Sequence, residues 1–338
     1  MRVSLVGFGR MGVRLCEAAE RAGLEVAAVL DEAEAPFGAG ARPDLAGRLH
    51  RDPERFWAVP SDVLAIGTTA PSHLALVERG LAAGFRRIVV EKPFACSVAE
   101  AERAVAAAEA AGARLLVDHS RRYCPNYIKV ASGAPELAHL GRLRTVSTVV
   151  GGGGLGCLGV HFFDLCNMLF GAMPDAVTAH MTAAADPNPR GPQFDDPGGA
   201  VLLTYPGGGR GFLDFSDDIG VYAGMTLSFE EGVLQHENEF IPWRMRARRP
   251  EDRGKRFSLN ALPLTEETFP GWTDFSGMER WAALFKDAAS DGPPVSGADL
   301  GLESMRVYAA ARWSGAHGGD TVRFPLPPEA EAAVYPIP

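Results

Sequence analysis

The chain has 338 residues, of which 46% are apolar and 22% are charged. These proportions are typical of a globular protein with a sizeable core, and they exclude a wholly disordered, collagen-like or coiled-coil chain. The formal net charge of −9 gives no general attraction to phosphate backbones, so nucleic acid is not an expected partner. At roughly 150 residues per domain, the length predicts two domains.

The cysteine count indicates the redox compartment. Five cysteines are present, an odd number, and none are spaced C-x-x-C. A disulfide framework is therefore not expected, and a reducing cytoplasm is the expected location. The start of the chain has no apolar stretch of signal-peptide length, and the uncharged stretch 145–163 contains six glycines. We therefore expect neither a signal peptide nor a membrane span.

The first third of the chain alternates short apolar runs with alanine-rich stretches. This alternation predicts a parallel sheet with helices on both faces. Ser97 and Glu100 have the spacing of a capping box, in which the serine accepts one free amide and the glutamate another. The predicted strands are Arg2–Val6, Glu25–Leu30, 62–67, Arg87–Val90 and 113–117, and the predicted helices are 13–21, 71–83 and 97–112.

After about residue 121 the pattern changes to short strands separated by turn residues. Glycines and a proline at 206–209, and Gly232 after Glu231, predict hairpin turns. The segment 186–199 carries four prolines and is predicted to be a loop. The predicted strands are Leu143–Val150, 176–184, 200–205, 210–216, 224–230 and 233–237, and the predicted helices are 161–170, 278–290 and 300–314.

These elements predict the fold class. Residues 1–120 are expected to form an α/β Rossmann domain with a doubly wound parallel sheet. Residues 121–338 are expected to form an α+β domain with a large, mostly antiparallel sheet.

The first predicted strand ends in a glycine-rich turn of the form G-x-G-x-x-G, which alone is a weak signal. Here it opens a helix, and Asp31 follows 19 residues after it at the end of the second strand. In such a turn Gly7 permits the bend, Gly9 lets a pyrophosphate approach the backbone, and Gly12 lets helix and strand pack closely. The alternative is a tight turn without a ligand. The predicted contacts are Gly7, Phe8, Gly9, Arg10, Met11 and Gly12.

Asp31 predicts the choice of nicotinamide cofactor. Its carboxylate can accept hydrogen bonds from the adenosine ribose and would repel a 2′-phosphate. NAD is therefore favoured over NADP. Further polar residues stand at the carboxyl ends of the predicted strands, where ligands bind in open α/β sheets. They are Thr68, Thr69, Glu91, Lys92, His119 and Arg121.

Lys92 lies between Glu91 and Pro93 at the end of the fourth predicted strand. Because Pro93 disfavours the helical region for the residue before it, Lys92 should be extended and directed. Its ammonium could stabilise an alkoxide or pass a proton. The alternative is a surface lysine paired with Glu91.

The chain resembles the glucose–fructose oxidoreductase and inositol dehydrogenase (Gfo/Idh/MocA) family over nearly its whole length. The resemblance implies a Rossmann domain and a second domain, residues 121–338, that binds substrate and whose open sheet mediates a homodimer or homotetramer. It also implies that the helix near 300–314 packs back on the first domain. The implied cofactor is a nicotinamide, and the implied substrate is a sugar, cyclitol or related polyol. Residues 172–270 match only in strand pattern. The matching stretches are GFGRMG, IGTTAPSHLALVERGLAAG, VVEKPFA, SRRYCPNY, GGGGLGCLGVHFFDLCNMLFG and VSGADLGLESMRVYAAARWSG.

The resemblance also assigns roles to residues. It implies that Lys92 contacts the reacting hydroxyl and that His161 is the acid/base. Beyond the glycine turn, the expected cofactor contacts are Asp31, Thr68, Thr69, Pro71, His73, Glu91, Lys92 and Arg121. The expected substrate contacts are Lys92, Tyr123, Cys157, His161 and Asp164.

His161 is also a plausible base on physical grounds. It lies in the first turn of a predicted helix, after a glycine tract. A helix N-terminus disfavours the imidazolium form, so the ring should be able to accept a proton. Asp164, three residues on, shares its face. The alternative is a hydrogen-bonded structural histidine.

The sequence departs from the family in the segment around His161. The family has an aspartate four residues before the histidine, and Cys157 stands there in this chain. A thiol is a weak hydrogen-bond partner, so the usual orienting carboxylate is missing. The stretch between strand Leu143–Val150 and the histidine is short. Ser120 replaces the asparagine that the family has before its double arginine.

Two further groups of residues contain side chains that could bind a ligand. Cys157, His161, Asp164 and Cys166 fit no zinc spacing, so no metal is expected. Asp195 and Asp196 could reach substrate hydroxyls, but a solvated loop is the simpler interpretation.

Seven basic residues lie between Trp243 and Arg256. They could bind a phosphorylated or nucleotide-linked sugar, since the arginine guanidinium forms bidentate hydrogen bonds with phosphate. The simpler interpretation is a solvated strand edge or loop. The cluster comprises Arg244, Arg246, Arg248, Arg249, Arg253, Lys255 and Arg256.

The sequence thus predicts an NAD(P)-dependent oxidoreductase that transfers hydride between nicotinamide and a hydroxyl or keto carbon of a sugar-like substrate. One alternative is an enzyme that retains NAD and catalyses epimerisation, elimination or glycoside cleavage without net redox change. Another is a non-catalytic nicotinamide-binding sensor or partner subunit.

Overall fold

A computed structural model describes residues 1–182, 188, 190–255 and 264–338. The described chain divides into two compact units. The first comprises Met1–Tyr123, Ser276–Arg306 and Glu331–Pro338, and the second comprises Cys124–Phe275 and Val307–Ala330. The sequence suggested one boundary near residue 120, but two later segments belong to the first unit.

The first unit contains a parallel sheet with the strand order β3-β2-β1-β4-β5-β6 among the described residues. Its central strands are buried almost throughout, as expected when helices cover both faces. The order reverses between β1 and β4, which is the switch point of a doubly wound sheet. The strands are β1 (Arg2–Val6), β2 (Glu25–Leu30), β3 (Leu49–His50), β4 (Val63–Ile66), β5 (Arg87–Val90) and β6 (Arg114–Val117).

The helices follow the sequence signals closely where those signals were strong. The Ser97 hydroxyl accepts the Glu100 amide, but the Glu100 carboxylate accepts the amide of Cys96 rather than that of Ser97. The helices are α1 (Arg10–Arg21), α2 (Phe37–Ala41), α3 (Pro53–Trp57), α4 (His73–Ala82), α5 (Val98–Ala110), α6 (Pro125–Ala131), α7 (Val160–Phe170), α8 (Gly277–Ala288), α9 (Ala298–Ala316) and α10 (Pro328–Ala332).

Helix α8 belongs to the first unit because its Asp287 is tied to the end of the parallel sheet. Asp287 accepts hydrogen bonds from the Arg114 guanidinium on β6, from the Tyr123 hydroxyl at 2.6 Å and from the Val295 amide at 2.9 Å. A side chain at Gly301, at the start of α9, would collide with Val117. The residues of α9 up to Arg306 therefore belong to the first unit, and the remainder belongs to the second.

The second unit is built on a sheet with the strand order β14-β13-β12-β11-β7-β10-β9-β8-β15 among the described residues. Its pairs are antiparallel except β7 with β10, which is parallel. The strands are β7 (Leu143–Val150), β8 (Ala176–Met181), β9 (Gly199–Thr204), β10 (Arg210–Asp214), β11 (Tyr222–Phe229), β12 (Gly232–His236), β13 (Arg244–Arg248), β14 (Leu264–Thr268) and β15 (Val322–Arg323).

Both halves of the predicted fold class are confirmed: a Rossmann-type parallel sheet and a mostly antiparallel second sheet. β8 ends at Met181, and the last residues of the predicted strand 176–184 lie outside the described residues, as do 186, 187 and 189 of the predicted loop 186–199. In the part of the chain that the structure describes, no helix is long and apolar enough to cross a membrane.

Candidate functional site

The turn between β1 and α1 brings backbone segments into very close approach. Gly7 has φ +94°, a conformation that favours glycine, and a Cβ there would lie 3.0 Å from the Gly67 carbonyl carbon and oxygen. A Cβ at Gly12 would overlap the Gly7 carbonyl oxygen. The sequence assigned these two glycines to the bend and to close packing, and the geometry matches both assignments.

Gly9 differs from its neighbours because a Cβ there would meet nothing within 4 Å. It precedes α1, whose N-terminus has no side-chain cap and no acidic residue in its first turn. In contrast, α5 and α8 are capped by Ser97 and Ser276. The open space beside uncapped amides fits a pyrophosphate, because a helix N-terminus attracts anions.

Asp31 anchors the same turn from the end of β2. Its Oδ2 accepts the Phe8 amide at 2.6 Å and its Oδ1 accepts the Ala33 amide at 2.9 Å. A carboxylate has about four lone-pair sites, so two further hydrogen bonds can be accepted, as a ribose diol requires. The Phe8 ring is completely buried, its amide donates to Asp31, and its carbonyl oxygen accepts the Gly38 amide at 2.8 Å, so this expected cofactor contact is engaged within the protein.

The loop after β4 is held by His73. Its ring is wholly buried, with Nδ1 3.0 Å from the Pro93 oxygen and 3.3 Å from the Phe94 oxygen, and Nε2 3.1 Å from the Thr68 oxygen. Burial lowers the pKa of His73 to about 4, so the ring is neutral at pH 7. The His73 ring thus lies between two loops at the sheet edge, and its single N–H donates to a carbonyl group of one of them. Thr69 is partly exposed and Pro71 is exposed.

The two charged residues that follow β5 differ in their exposure to solvent. Lys92 is partly exposed, whereas Glu91 is 3% exposed. The Glu91 carboxyl interacts with Asp118, which follows β6 and was not singled out by sequence reasoning. The expected cofactor contact by Glu91 thus involves a buried side chain. Burial and the charge of Asp118 raise the pKa of Glu91 well above its usual value.

A short 3-10 helix, Ser120–Tyr123, carries two of the expected contacts. Arg121 is partly exposed. Tyr123 is buried, and its hydroxyl donates to Asp287. Burial and this carboxylate raise the pKa of Tyr123. The hydroxyl expected to contact substrate is therefore engaged within the first unit.

In the second unit, α7 carries the expected acid/base. His161 is the second residue of α7 and is partly exposed, and Asp164 is buried. A π-helical turn, Leu155–Gly159, leads into α7 and carries Cys157, which is also partly exposed. The sequence did not indicate this π-turn.

Asp196 has a role that the sequence interpretation missed. Its two carboxylate oxygens accept the amides of Gly156 at 2.6 Å and Cys157 at 2.7 Å, and the residue is buried. The expectation of a solvated loop is therefore wrong for Asp196, because this carboxylate satisfies the free amides of the turn before α7. Asp195 forms an ion pair with Arg312 at 2.7 Å.

Three of the basic residues, Arg244, Arg246 and Arg248, lie on β13, which pairs with both β12 and β14. Arg246 donates to Gln235, Arg248 pairs with Glu231 at 3.1 Å, and Arg244 lies 3.6 Å from Glu266. This part of the cluster is therefore an interior strand rather than an edge, whereas Arg249, Arg253 and Lys255 follow it outside any strand, around a short 3-10 helix. The last member of the cluster, Arg256, lies outside the described residues.

The glycine geometry gives a paired prediction. Gly9→Ala should weaken NAD binding about tenfold, because the methyl group fills the open space, while stability falls by less than about 1 kcal/mol. Gly12→Ala should destabilise the fold by about 3 kcal/mol through overpacking. Calorimetric titration with NAD⁺ and urea unfolding measure the two effects. Equal stability losses in both variants would contradict this division of roles.

His73 predicts an acid-dependent stability. Its pKa is about 4 in the folded chain and 6.5 in model compounds, so the unfolded chain binds more protons between these values. The free energy of unfolding should therefore fall by roughly 3 kcal/mol as pH drops from 6.5 to 4. His73→Gln should lack this component in urea unfolding across that range. Exposed His317→Gln is the control, and an unchanged pH dependence in His73→Gln would contradict the assignment.

Comparisons with known proteins agree with this architecture. Residues 1–119 match the profile described as an oxidoreductase family with an NAD-binding Rossmann fold, and residues 126–235 match the Gfo/Idh/MocA C-terminal domain. D-apiose dehydrogenase of Paraburkholderia graminis is 30% identical over 222 residues, covering 57% of this chain and 54% of that protein. The chain spans about half the length of the curated relatives it matches.

Solved structures share the fold along almost the whole chain. An NAD-binding protein from Listeria innocua superposes with a TM-score of 0.79 at 16% identity, covering 95% of this chain and 96% of that one. An inositol dehydrogenase homologue from Azotobacter vinelandii, complexed with NADH and myo-inositol, gives a TM-score of 0.76 at 18% identity, covering 96% and 97%. With matches to the profiles of both domains and this shared fold, the chain belongs to the Gfo/Idh/MocA family.

Proposed function

We propose that this protein is an NAD-dependent oxidoreductase that transfers hydride between nicotinamide and a hydroxyl or keto carbon of a sugar, cyclitol or sugar-derived substrate. The observation that carries the proposal is the open space at Gly9 beside the uncapped start of α1. The Asp31 carboxylate, with capacity for two more hydrogen bonds, stands at the end of the adjacent strand.

The names of similar proteins support the substrate class. One relative is named for D-apiose, a sugar, and one structural neighbour is described with myo-inositol, a cyclitol. Both molecules are small and carry several hydroxyl groups. We propose the same chemical class here, in free, phosphorylated or nucleotide-linked form.

The chemistry requires two functions from the protein. When bound, NAD accepts a hydride from the substrate carbon, or NADH returns one. In the oxidising direction the hydroxyl must also lose its proton, and in the reducing direction the new alkoxide must gain one. We assign the stabilisation of oxygen charge to the Lys92 ammonium and the proton transfer to the His161 ring. Gly9 and Asp31 would hold the pyrophosphate and the adenosine ribose.

We also propose that the protein is a cytoplasmic homodimer or homotetramer that associates through the nine-stranded sheet. None of the five cysteines, all within the described part of the chain, forms a disulfide, which supports a reducing compartment. Phe212 on β10 and Tyr222 on β11 are exposed apolar side chains on this sheet. Burying them against a second copy would remove them from water.

The lysine assignment predicts the outcome of a turnover assay. Reduced nicotinamide is followed by absorbance in both directions over sugars, cyclitols, sugar phosphates and nucleotide sugars. Lys92→Ala should lower kcat/KM by about 10³-fold, because the oxygen charge loses its stabilising ammonium. Lys286→Ala, at an exposed position on α8, is the matched control.

If the protein binds NAD but turns over none of these substrates, the proposal of a simple dehydrogenase would be contradicted. Turnover with retained NAD and no net redox would then identify the recycling alternative. NAD binding that Lys92→Ala does not change, together with no turnover, would identify a sensor or partner subunit.

Cofactor choice gives a second prediction. Asp31→Asn preserves the side-chain shape and removes the charge that would repel a 2′-phosphate. The ratio of NADP⁺ to NAD⁺ dissociation constants should therefore fall about tenfold relative to the unchanged protein, when both are measured by calorimetric titration. An unchanged ratio would show that Asp31 does not discriminate between NAD⁺ and NADP⁺.

A further inference from the structure

Two acidic side chains lie side by side at the carboxyl edge of the parallel sheet. Glu91 follows β5 and Asp118 follows β6, and the register of these strands pairs Val90 with Val117. The Asp118 amide donates to the Val90 oxygen at 2.9 Å, so the pairing continues past the strand ends. The two carboxyl groups are therefore direct neighbours, and each residue is at least 97% buried.

The two carboxyl groups have too few hydrogen-bond donors around them. Asp118 Oδ2 accepts the Trp281 indole at 2.7 Å. Within the part of the chain that the structure describes, Glu91 Oε1 and Asp118 Oδ1 have no donor. The two side chains form a hydrogen bond with each other if one is protonated. Two ionised carboxylates side by side in a buried site repel strongly, whereas one shared proton removes this repulsion and gives the pair a hydrogen bond.

Lys92 carries a cationic charge next to Glu91. It follows Glu91 in the chain, and its charge opposes the effects of burial and of Asp118 on that carboxyl. The same ammonium acts on the neutral ring of His73. A pair with one proton carries one negative charge, which matches the single charge of Lys92.

The other titratable groups near the pair have contacts of their own. The Tyr123 phenol is influenced by Asp118, but its hydroxyl donates to Asp287. Asp287 in turn pairs with Arg114. His119 contacts the Ser304 hydroxyl at 3.0 Å. The Arg14 guanidinium lies over the Trp281 ring, with Cζ 5.7 Å from the ring centroid.

We propose that Glu91 and Asp118 share one proton, and that the single negative charge of this pair acts electrostatically on the ammonium of Lys92, the residue next to Glu91 in the chain. This inference deepens the proposed function, because it concerns the residue assigned to stabilise the substrate oxygen. Neither acid touches the reacting atoms in this account. Their effect on the reaction is exerted through Lys92.

The shared proton is tested by infrared spectroscopy at pH 7. The unchanged protein should show the carbonyl band of a buried protonated carboxyl. Glu91→Gln and Asp118→Asn should each lose it, because the amide N–H replaces the shared proton and the remaining carboxyl ionises. Each single variant therefore keeps one negative charge and one donor, and so preserves the local hydrogen bond. Absence of the band in the unchanged protein, or its survival in both variants, would overturn the proposal.

The effect on Lys92 is tested by competitive labelling of lysines with limiting acetic anhydride, quantified by peptide mass spectrometry from pH 6 to 10. The double variant Glu91→Gln/Asp118→Asn lacks the negative charge. Lys92 should react about tenfold faster in it at a given pH, as expected when a nearby opposite charge is removed. The single variants should stay within about threefold of the unchanged protein. Lys286 reactivity serves as the internal control.

Equal Lys92 reactivity in the double variant and the unchanged protein, with circular dichroism showing that both are folded, would overturn the proposed effect on Lys92. Neither measurement needs a substrate or turnover. A failure of this inference is therefore distinguishable from a failure of the proposed oxidoreductase activity.

Discussion

The close packing of α1 on β1 and β4 is the constraint on which the rest of the first unit depends. Gly12 leaves room for the Gly7 carbonyl, and Gly7 leaves room for the backbone at Gly67. Because these contacts are made without side chains, the start of α1 lies directly at the carboxyl edge of the sheet. Its uncapped amides, the space at Gly9 and the Asp31 carboxylate then face the same turn. Any larger residue at Gly12 would displace the helix and with it the proposed anion site.

The same edge is stiffened by buried polar contacts rather than by apolar packing alone. The two ring nitrogens of His73 lie within 3.3 Å of carbonyl oxygens from the loop after β4 and from the segment after β5. The neutral ring has a single N–H, so it donates to only one of these segments. At the next strand, the buried Glu91 carboxyl lies beside Asp118, whose Oδ2 accepts the Trp281 indole N–H. In the proposed pair, the shared proton supplies the donor that two carboxylates lack.

Sequence reasoning predicted the elements whose signals are local. Alternating apolar runs and a glycine turn define the parallel sheet, and Ser97 marked the start of α5. It missed β13 and β14, because arginines and glutamates on paired strands look like a solvated loop until the partners are known. It also could not distinguish exposed from buried polar residues. Tyr123 and Asp196 show this limit, since the partner Asp287 lies 164 residues from the former and the amides lie 39 or more from the latter.

The most direct test of the cofactor site is a crystal structure of the protein with bound NAD⁺. The account predicts the pyrophosphate against Gly9 and the first turn of α1, with the adenosine ribose hydroxyls on Asp31. A nucleotide bound elsewhere, or a pyrophosphate held without Gly9, would contradict the claim that the glycine turn exists to admit a dinucleotide.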